Sequence, residues 1–293
     1  MPNTFLTPEV IAREALMVLR NNAIMAKLVH RDYSDEFVGA VGDTITIRKP
    51  ATFTAEEFEG NIKVQDATET GVSVVMDKHL DVSFAVSSKQ MALSIEDFSK
   101  QLLVPAMQAF ADKVDKYLLS LEAEVTGRVP HDAGAIAPED IIAARKILTQ
   151  NAVPATDRHM VIGAVADADL LTSELFTSAN QVGDEGTALR EASLGRKYGF
   201  DIYTDQNVGS VEGTVGYTPS LAFHRNAFAL VTRQLEMPMG ASKAATINYD
   251  GFGLRVVYAY DINTKTDTIS IDMLCGVKML DDKLAAVIVD SRA

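Results

Sequence analysis

Cysteine is almost missing from this sequence of 293 residues, which contains Cys275 alone. A single thiol cannot form a disulfide within the chain, and it cannot supply a metal site that needs several cysteines. Because its neighbours Met273, Leu274 and Val277 are apolar, we predict a buried structural thiol in preference to a reactive one. This cysteine usage is typical of a reducing compartment.

Long runs of basic or apolar residues are missing as well. The formal net charge is -13, and basic residues cluster only in pairs, at 48–49 and 196–197, whereas a protein that grips nucleic acid usually needs a basic patch. The acidity favours solubility, and it also suits a protein that encloses DNA without adhering to it. No stretch approaches the ~18 consecutive apolar residues of a membrane helix, and residues 1–5 are not typical of a signal peptide. We therefore expect a protein that is soluble and intracellular when made, with no membrane partner.

Recognisable catalytic motifs are also missing. Segment 209–213 places its serine wrongly for a nucleophile elbow, and segment 251–253 lacks the third glycine of a dinucleotide site. The five histidines have no i,i+4 pair. Asp167 and Asp169 have the spacing of a carboxylate pair for a divalent metal, but the start of a helix explains them better. We predict no catalytic residue, no cofactor and no metal site.

Apolar residues at helical spacing mark three segments of the first half. The first predicts a helix over about 8–29, with a possible break near 21–22. The second predicts a helix over 94–126, which at 1.5 Å per residue is roughly 48 Å long. Pro105 should bend or split that helix, because proline removes one backbone hydrogen bond. A shorter helix is predicted over 138–150.

A long hairpin is predicted between the first two helices. Segments 44–48 and 72–87 alternate between apolar and polar residues, so we interpret them as its two arms, the second being one extended strand or a bent pair. The polar segment 51–71 between them is predicted to be a projecting loop, and loops of this length are commonly functional. Its carboxylates can be seen as a cation site, but a solvated loop explains them better; they include Glu56, Glu57 and Glu59.

The second half of the chain mixes short helices and strands without a regular β-α-β order, so the predicted class is α+β. Helices are predicted over 166–175 and 187–193, with a loop over 180–186 between them. Segment 209–220, which contains glycines, is predicted to be another loop. Asp281 and Asp282 are predicted to form a turn before the last strand. Strands are predicted over 159–163, 200–203, 221–224, 228–232, 254–260, 268–275 and 284–289.

Two segments resemble the coat proteins of tailed double-stranded-DNA bacteriophages. From Thr187 to Val208, a predicted short helix ends at a G-x-x-x-G pattern, Gly195 to Gly199, and leads into a strand that ends near Asn207. Segment 224–233 is similar to a second part of those proteins, a strand with an alanine after a polar turn. The order of elements matches over most of the chain. The similarity looks closest to short-tailed phages, without the extra domain that some of them insert.

This resemblance implies an α+β fold of the Hong-Kong-97 type, with an N-terminal arm, an extended loop, a long spine helix, and peripheral and axial domains. The implied boundaries are 1–30 for the arm, 31–127 for the first part of the peripheral domain with loop 43–87 and spine helix 94–126, 128–236 for the axial domain, and 237–293 for the rest of the peripheral domain.

The resemblance also implies a function, that of a major capsid protein which is not an enzyme. Such a protein is made in the host cytoplasm and assembles as pentamers and hexamers into an icosahedral shell of the virion, around DNA that it does not bind sequence-specifically. A scaffolding protein and a portal are the implied partners. The implied inter-subunit contacts in the extended loop are Glu56, Glu57, Phe58, Glu59 and Lys63, and the implied axial segment is Leu194, Gly195, Arg196, Lys197 and Tyr198.

Two further points are left open by this interpretation: a cross-link at Lys63, and the position of two methionines. Some relatives cross-link a loop lysine to an asparagine of a neighbouring subunit, and Lys63 is the candidate lysine here. Met237 and Met239 suit an adaptable contact surface, but we favour a position in the core for each.

Two other functions stay as alternatives. A bacterial encapsulin-like shell has the same implied fold, encloses an enzyme cargo and carries an inner pocket for a cargo peptide. A soluble α+β metabolic enzyme belongs to a different class, and the lack of catalytic motifs counts against it.

Overall fold

Helices and strands follow one another irregularly, in the α+β manner that the sequence predicts. The computed structural model of the chain describes residues 8–31, 44–49, 53, 55, 57, 70–87, 102–130, 136–173, 194–209, 219–240, 243–249 and 252–289. Within these ranges the helices are α1 (Pro8–Asn22), α2 (Met25–Leu28), α3 (Val104–Ser120), α4 (Pro138–Gln150) and α5 (Ala164–Thr172). The strands are β1 (Thr44–Lys49), β2 (Thr70–Val75), β3 (Lys78–Ser87), β4 (Arg128–Pro130), β5 (Arg158–Ile162), β6 (Arg196–Lys197), β7 (Phe200–Thr204), β8 (Ser220–His224), β9 (Phe228–Arg233), β10 (Lys243–Tyr249), β11 (Phe252–Asp261), β12 (Thr266–Met279) and β13 (Ala285–Val289).

The N-terminal helical segment is broken between α1 and α2, as predicted, at Ala23 and Ile24. One face of α1 is buried because its apolar residues recur at helical spacing. These residues are Ile11, Ala12, Ala15 and Leu19. They belong to the main core, where α1 packs against α3 and the strands β10 and β11.

The central helix α3 is continued by a 3-10 turn over Leu121–Glu124, so its predicted end near 126 is confirmed. Regular α-helix begins at Val104, and Pro105 therefore lies in the first turn, where a missing N–H costs little. Residues 94–101, the predicted start of this helix, lie outside the described residues. The buried face repeats at spacings of three and four: Met107, Phe110, Ala111, Val114 and Leu118.

The larger core lies on a five-stranded antiparallel sheet in the order β10-β11-β12-β3, with β9 paired to the other end of β12. Alternate residues of β12 are buried under the helices because successive strand side chains point to opposite faces. They are Ile269, Ile271, Met273 and Cys275. The predicted burial of the Cys275 thiol is thus confirmed, and burial raises the pKa of Cys275 to about 12.

The second sheet has six strands in the order β4-β13-β8-β5-β7-β6 and mixes parallel with antiparallel pairs. Helix α4 covers it through Ile141, Ala144 and Leu148, which pack with Met160 and Phe200. The bounds of α4 equal the predicted range of 138–150.

Two short connections tie the sheets to each other. A 3-10 turn over Arg225–Ala227 joins β8 of the six-stranded sheet to β9 of the five-stranded sheet. A second turn, Asp282–Leu284, joins β12 to β13 in the opposite direction. This second turn confirms the one predicted at Asp281 and Asp282. Strand β10 is not among the predicted strands, and 180–186 and 187–193 lie outside the described residues.

Phe223 lies where the two sheets meet, and replacing it with alanine should strongly destabilise the fold. Its ring is completely buried and meets the Phe228 ring edge-on, with centroids 5.4 Å apart. Truncating such a ring typically costs about 3–5 kcal/mol. We expect this loss in the free energy of unfolding measured by urea titration. Phe53→Ala is the control, because Phe53 is 65% exposed; equal losses in the two variants would contradict the described core.

Candidate assembly surfaces

The predicted hairpin exists, and it stands on an apolar base. β1 and β2 pair antiparallel from Thr44 opposite Val75 to Lys49 opposite Thr70. On one face of this two-stranded sheet, alternate apolar residues pack against β9. The cluster contains Ile45, Ile47, Val74, Met76, Ala229 and Val231. The base of the hairpin is therefore packed on β9, and the pairing of the two strands ends at Lys49 and Thr70, between which the segment 50–69 connects them.

Of the predicted contact residues in that connecting segment, the structure describes Glu57 alone, and it is exposed. Glu56, Phe58, Glu59 and Lys63 lie outside the described residues. Phe53 at the start of the segment is 65% exposed. An aromatic side chain and a carboxylate are thus both presented to solvent beyond the hairpin base.

The second arm of the hairpin is a bent pair of strands, one of the two forms that the alternation predicts. β2 and β3 are separated by Met76 and Asp77, so β2 stays in the hairpin and β3 joins the five-stranded sheet. The bend brings β2 across β12 at Gly276. A Cβ atom at that position would lie 2.4 Å from the Val75 carbonyl oxygen. Only glycine allows the backbones to approach this closely.

The predicted axial segment 194–198 forms a tight hairpin at the edge of the six-stranded sheet. β6 and β7 pair with Lys197 opposite Phe200, and both turn residues between them, Tyr198 and Gly199, have positive φ angles of 51° and 88°. Such angles characterise the two-residue turn that suits the twist of a hairpin. Arg145 of α4 donates from Nη1 to the Tyr198 carbonyl oxygen over 3.0 Å. A helix and a sheet edge thereby fix the turn.

The side chains of this segment divide into buried and exposed ones. Leu194 is buried in the second core, and Tyr198 packs against that core. The Ile202 amide donates to the Gly195 carbonyl oxygen over 3.1 Å, closing the base of the hairpin. Arg196 is exposed and lies 3.8 Å from Asp201, a distance at which a surface ion pair contributes little. Arg196 is thus available at the sheet edge.

A buried ion pair fixes a third exposed segment, 234–240. Arg255 donates from Nε to Asp272 over 2.9 Å and from Nη2 to the other carboxylate oxygen. His79 lies 3.5 Å from the same carboxylate. Arg255 also donates from Nη1 to the Glu236 carbonyl oxygen over 2.6 Å. The segment is therefore held on the outside of the sheet by its backbone.

The exposure of segment 234–240 overturns the predicted position of its methionines. Met237 is 54% and Met239 108% exposed, so neither lies in the core. The physical reason is the contact of Arg255 with Glu236, which keeps the following residues above the sheet surface. The alternative interpretation, an exposed adaptable apolar surface, fits this position.

A buried carboxylate joins the N-terminal helices to α3. Asp115 is 2% exposed. Its Oδ2 accepts a hydrogen bond from the Ile24 amide over 2.9 Å, and its Oδ1 accepts one from the Ala26 amide over 3.3 Å. Burial raises the pKa of Asp115 to about 7, and the two amides oppose that shift. Nothing near Asp115 in the sequence marks it as a contact residue, since its partners lie about 90 positions away.

The carboxylates that the sequence singles out as a possible metal pair bind separate partners. Asp167 accepts from the Thr204 hydroxyl over 3.2 Å, and Asp169 accepts from the Ile136 amide over 3.1 Å. Across the part of the chain that the structure describes, no group of three metal-ligating side chains occurs. No helix in that part is long and apolar enough to cross a membrane.

The hairpin on its fixed base, the central helix and the two linked sheets together form an arrangement that known structures share. No family model and no curated protein matches the chain. Several solved structures do match it. A structure of Mycobacterium phage Che8 is 21% identical with a TM-score of 0.68, covering 91% of this chain and 90% of that one. The capsid structure of the cyanophage P-SCSP1u is 14% identical with a TM-score of 0.63, covering 87% and 85%.

A third match comes from outside the phages. The structure of a virus-like particle from Pyrococcus furiosus is 12% identical with a TM-score of 0.51, covering 96% of this chain and 98% of that one. At these identities the likeness establishes the fold. The expected α+β fold of the Hong-Kong-97 capsid type is confirmed.

Proposed function

We propose that this chain is the major capsid protein of a tailed double-stranded-DNA bacteriophage, a structural protein that assembles into a closed icosahedral shell. The observation that carries the proposal is the capsid fold, shared over about nine-tenths of both chains with the Che8 phage structure. The exposed hairpin and the exposed segment 234–240 support it, because a subunit that works alone gains little from them.

The two sheets support a division into two domains. We assign the six-stranded sheet with α4 and α5 to the axial domain, and the five-stranded sheet with α1 and α3 to the peripheral domain. In this proposal β9 belongs to the peripheral domain and β13 to the axial domain, whereas the boundaries implied by the resemblance place them the other way round. β9 lies before residue 236 but pairs with β12, and β13 lies after residue 237 but pairs with β8.

Assembly through many weak contacts is the mechanism that we propose. Pentamers and hexamers would place neighbours against the extended loop, with Glu56, Glu57, Phe58, Glu59 and Lys63, and would bring copies of the segment 194–198 together around the axes. Each contact needs only modest affinity, since closing the shell multiplies the contacts that hold each subunit. A net charge of -13 supports enclosure of DNA in the virion without adhesion to it. A scaffolding protein and a portal are the further partners that we propose.

Sedimentation velocity tests the proposal on the purified chain, with and without a co-expressed scaffolding candidate. A subunit has a mass of 31.7 kDa, so a shell sediments far ahead of it. We expect a fast-sedimenting species in at least one of the two samples. A slow monomer or dimer in both samples would contradict the proposal and favour the soluble metabolic enzyme.

An encapsulin-like shell is the second candidate, and the virus-like particle from Pyrococcus furiosus is the observation that favours it. The two candidates differ in their contents. Shells of a capsid protein should package nucleic acid in the presence of the packaging machinery of the phage, whereas an encapsulin-like shell should co-purify with a protein cargo. Mass spectrometry and the ratio of absorbance at 260 and 280 nm on purified shells separate them.

Removing the extended loop should prevent shell formation without unfolding the subunit. Because Lys49 lies directly opposite Thr70, the dipeptide Asn-Gly in place of residues 50–69 closes the hairpin with a two-residue turn. We expect the unfolding temperature to stay within about 4 °C, since the core is untouched, and fast-sedimenting material to disappear. A flexible Gly/Ser segment of unchanged length is the matched variant and should also fail. Shells of normal size from the Asn-Gly variant would contradict a role of the loop in assembly.

A further inference from the structure

The hairpin at the β6 edge of the six-stranded sheet, residues 194–199, is tied to that sheet by a short strand. Strand β6 has only two residues. The Ile202 amide adds a hydrogen bond to the Gly195 carbonyl oxygen over 3.1 Å. On one face of this edge hairpin, Arg196 and Asp201 lie 3.8 Å apart, which is too far for a hydrogen bond. Side-chain contacts with the rest of the domain must therefore help to fix the turn.

The turn of the edge hairpin has a conformation that needs support from outside it. Tyr198 has a φ angle of 51°, in the left-handed region that residues with a side chain rarely adopt, and Gly199 follows with 88°. A residue other than glycine keeps such an angle when the surrounding structure holds it there. The packing of Tyr198 against the second core is one such support. The backbone of the turn needs another.

Arg145 of α4 supports the backbone of the turn in two ways. Its Nη1 donates to the Tyr198 carbonyl oxygen over 3.0 Å. Its guanidinium also lies against Gly199: a Cβ atom at that glycine would be 3.7 Å from Cζ, 3.8 Å from Nη1 and 3.9 Å from Nε. Three nearly equal distances mean that the plane of the guanidinium faces the glycine. One side chain therefore contacts both residues of the turn.

Helix α4 is a firm base for this contact. Its buried residues Ile141, Ala144 and Leu148 belong to the second core, so the helix is fixed on the sheet whose edge carries the hairpin. Arg145 comes directly after Ala144 and is exposed, as is its neighbour Lys146. The two cations are thus adjacent on one helix, and Lys146 offers a matched comparison for Arg145.

We propose that Arg145 is a positioning residue for assembly, whose guanidinium holds the turn at 198–199 in the conformation in which neighbouring subunits meet around an axis. The inference rests on the proposed capsid function, in which segment 194–198 makes the axial contact. A ring of subunits needs the correct turn in every copy. A modest loss in each subunit is therefore multiplied over the ring, because only the competent fraction of subunits can bind.

Amide hydrogen exchange on the unassembled full chain measures the local effect. Arg145→Met removes the donor at an exposed position, so the midpoint of urea unfolding should stay the same while the protection of residues 195–202 falls about three- to tenfold, as for the loss of one hydrogen bond. Lys146→Met removes the same charge from the adjacent position and should change this protection by less than about twofold. Arg145→Lys can still donate to the Tyr198 carbonyl oxygen and should restore most of the protection.

Sedimentation of the same variants, under the condition in which the unmodified chain assembles, measures the effect on assembly. We expect shells from Lys146→Met and Arg145→Lys, and a yield at least about tenfold lower from Arg145→Met. Unchanged protection in Arg145→Met, an equal loss in Lys146→Met, or no recovery in Arg145→Lys would overturn the hold on the turn. Reduced protection with a normal shell yield would overturn the role in assembly. If the unmodified chain forms no shell, the proposed function fails, and the exchange data still decide whether Arg145 holds the turn.

Discussion

Replacing Arg255 with methionine is expected to destabilise the subunit by about 3–5 kcal/mol, because it leaves Asp272 buried without its cation. Asp272 is buried between β11 and β3, and both of its oxygens accept from the Arg255 guanidinium. The same change frees the Glu236 carbonyl oxygen, so segment 234–240 should also become mobile. Urea unfolding measures the first effect, and limited proteolysis near Met237 measures the second.

Two matched variants separate the charge effect from lost packing. Arg196→Met removes an arginine whose guanidinium is exposed and 3.8 Å from its partner, so we expect a loss of about 1 kcal/mol or less. The double variant Arg255→Met and Asp272→Leu removes both charges and should recover most of the lost stability. If the double variant is as unstable as Arg255→Met, the uncompensated charge of Asp272 is not the cause.

Replacing Gly276 with alanine is expected to displace the hairpin base from the five-stranded sheet. The new Cβ atom would lie 2.4 Å from the Val75 carbonyl oxygen and 3.2 Å from the Met76 Cα atom, and both belong to the backbone. Backbone atoms cannot move aside as a side chain does, so we expect a cost of about 1–3 kcal/mol or more. Hydrogen exchange over β1 and β2 should rise, and shell yield should fall with it.

Gly240→Ala is the control for Gly276→Ala, because nothing lies within 4 Å of a Cβ atom at that position. It should change the free energy of unfolding by less than about 0.5 kcal/mol. Equal effects of the two substitutions would show that the hairpin does not cross β12 at close range.

Local sequence patterns predicted those helices and strands whose ends are marked by particular residues, such as a proline in the first turn or a capping side chain. Helix α4 is the clearest case: Pro138 suits its first turn, and Asp140 accepts from the Ala137 amide over 2.9 Å at its start. Alternation predicted β1 and its pairing with the segment from residue 72. The same alternation did not indicate β10, in which Ala244 and Ala245 give little contrast between the two faces.

Local sequence patterns do not predict contacts between residues that lie far apart in the sequence. Alternation shows that a strand has a buried face, but it does not show which sheet receives that strand, and so the places of β9 and β13 were not predicted. Asp115 has the same difficulty, because nothing near it in the sequence marks the amide of Ile24 as its partner. The exposure of Met237 depends on the contact of Arg255 with Glu236, 19 positions apart.

The candidate assembly residues were predicted from resemblance, and their role in assembly remains a prediction. The structure explains the local form of one group, the segment 194–198. The G-x-x-x-G pattern at 195–199 corresponds to a hairpin in which Gly195 and Gly199 have φ angles of 60° and 88°. Glycine adopts such angles at little cost. For the extended loop, the sequence pattern predicted a projecting segment. The contacts of Glu56, Glu57, Phe58, Glu59 and Lys63 remain predictions.

Negative-stain electron microscopy of gradient fractions, from the chain expressed alone and with a scaffolding candidate, shows whether this chain forms closed shells. A capsid subunit is expected to give closed hollow shells or spirals in the fast-sedimenting fractions of at least one sample, and the shell diameter separates a phage procapsid from a smaller encapsulin-like compartment. Uniform small particles of monomer or dimer size under both conditions would contradict the assignment of this chain as a shell protein.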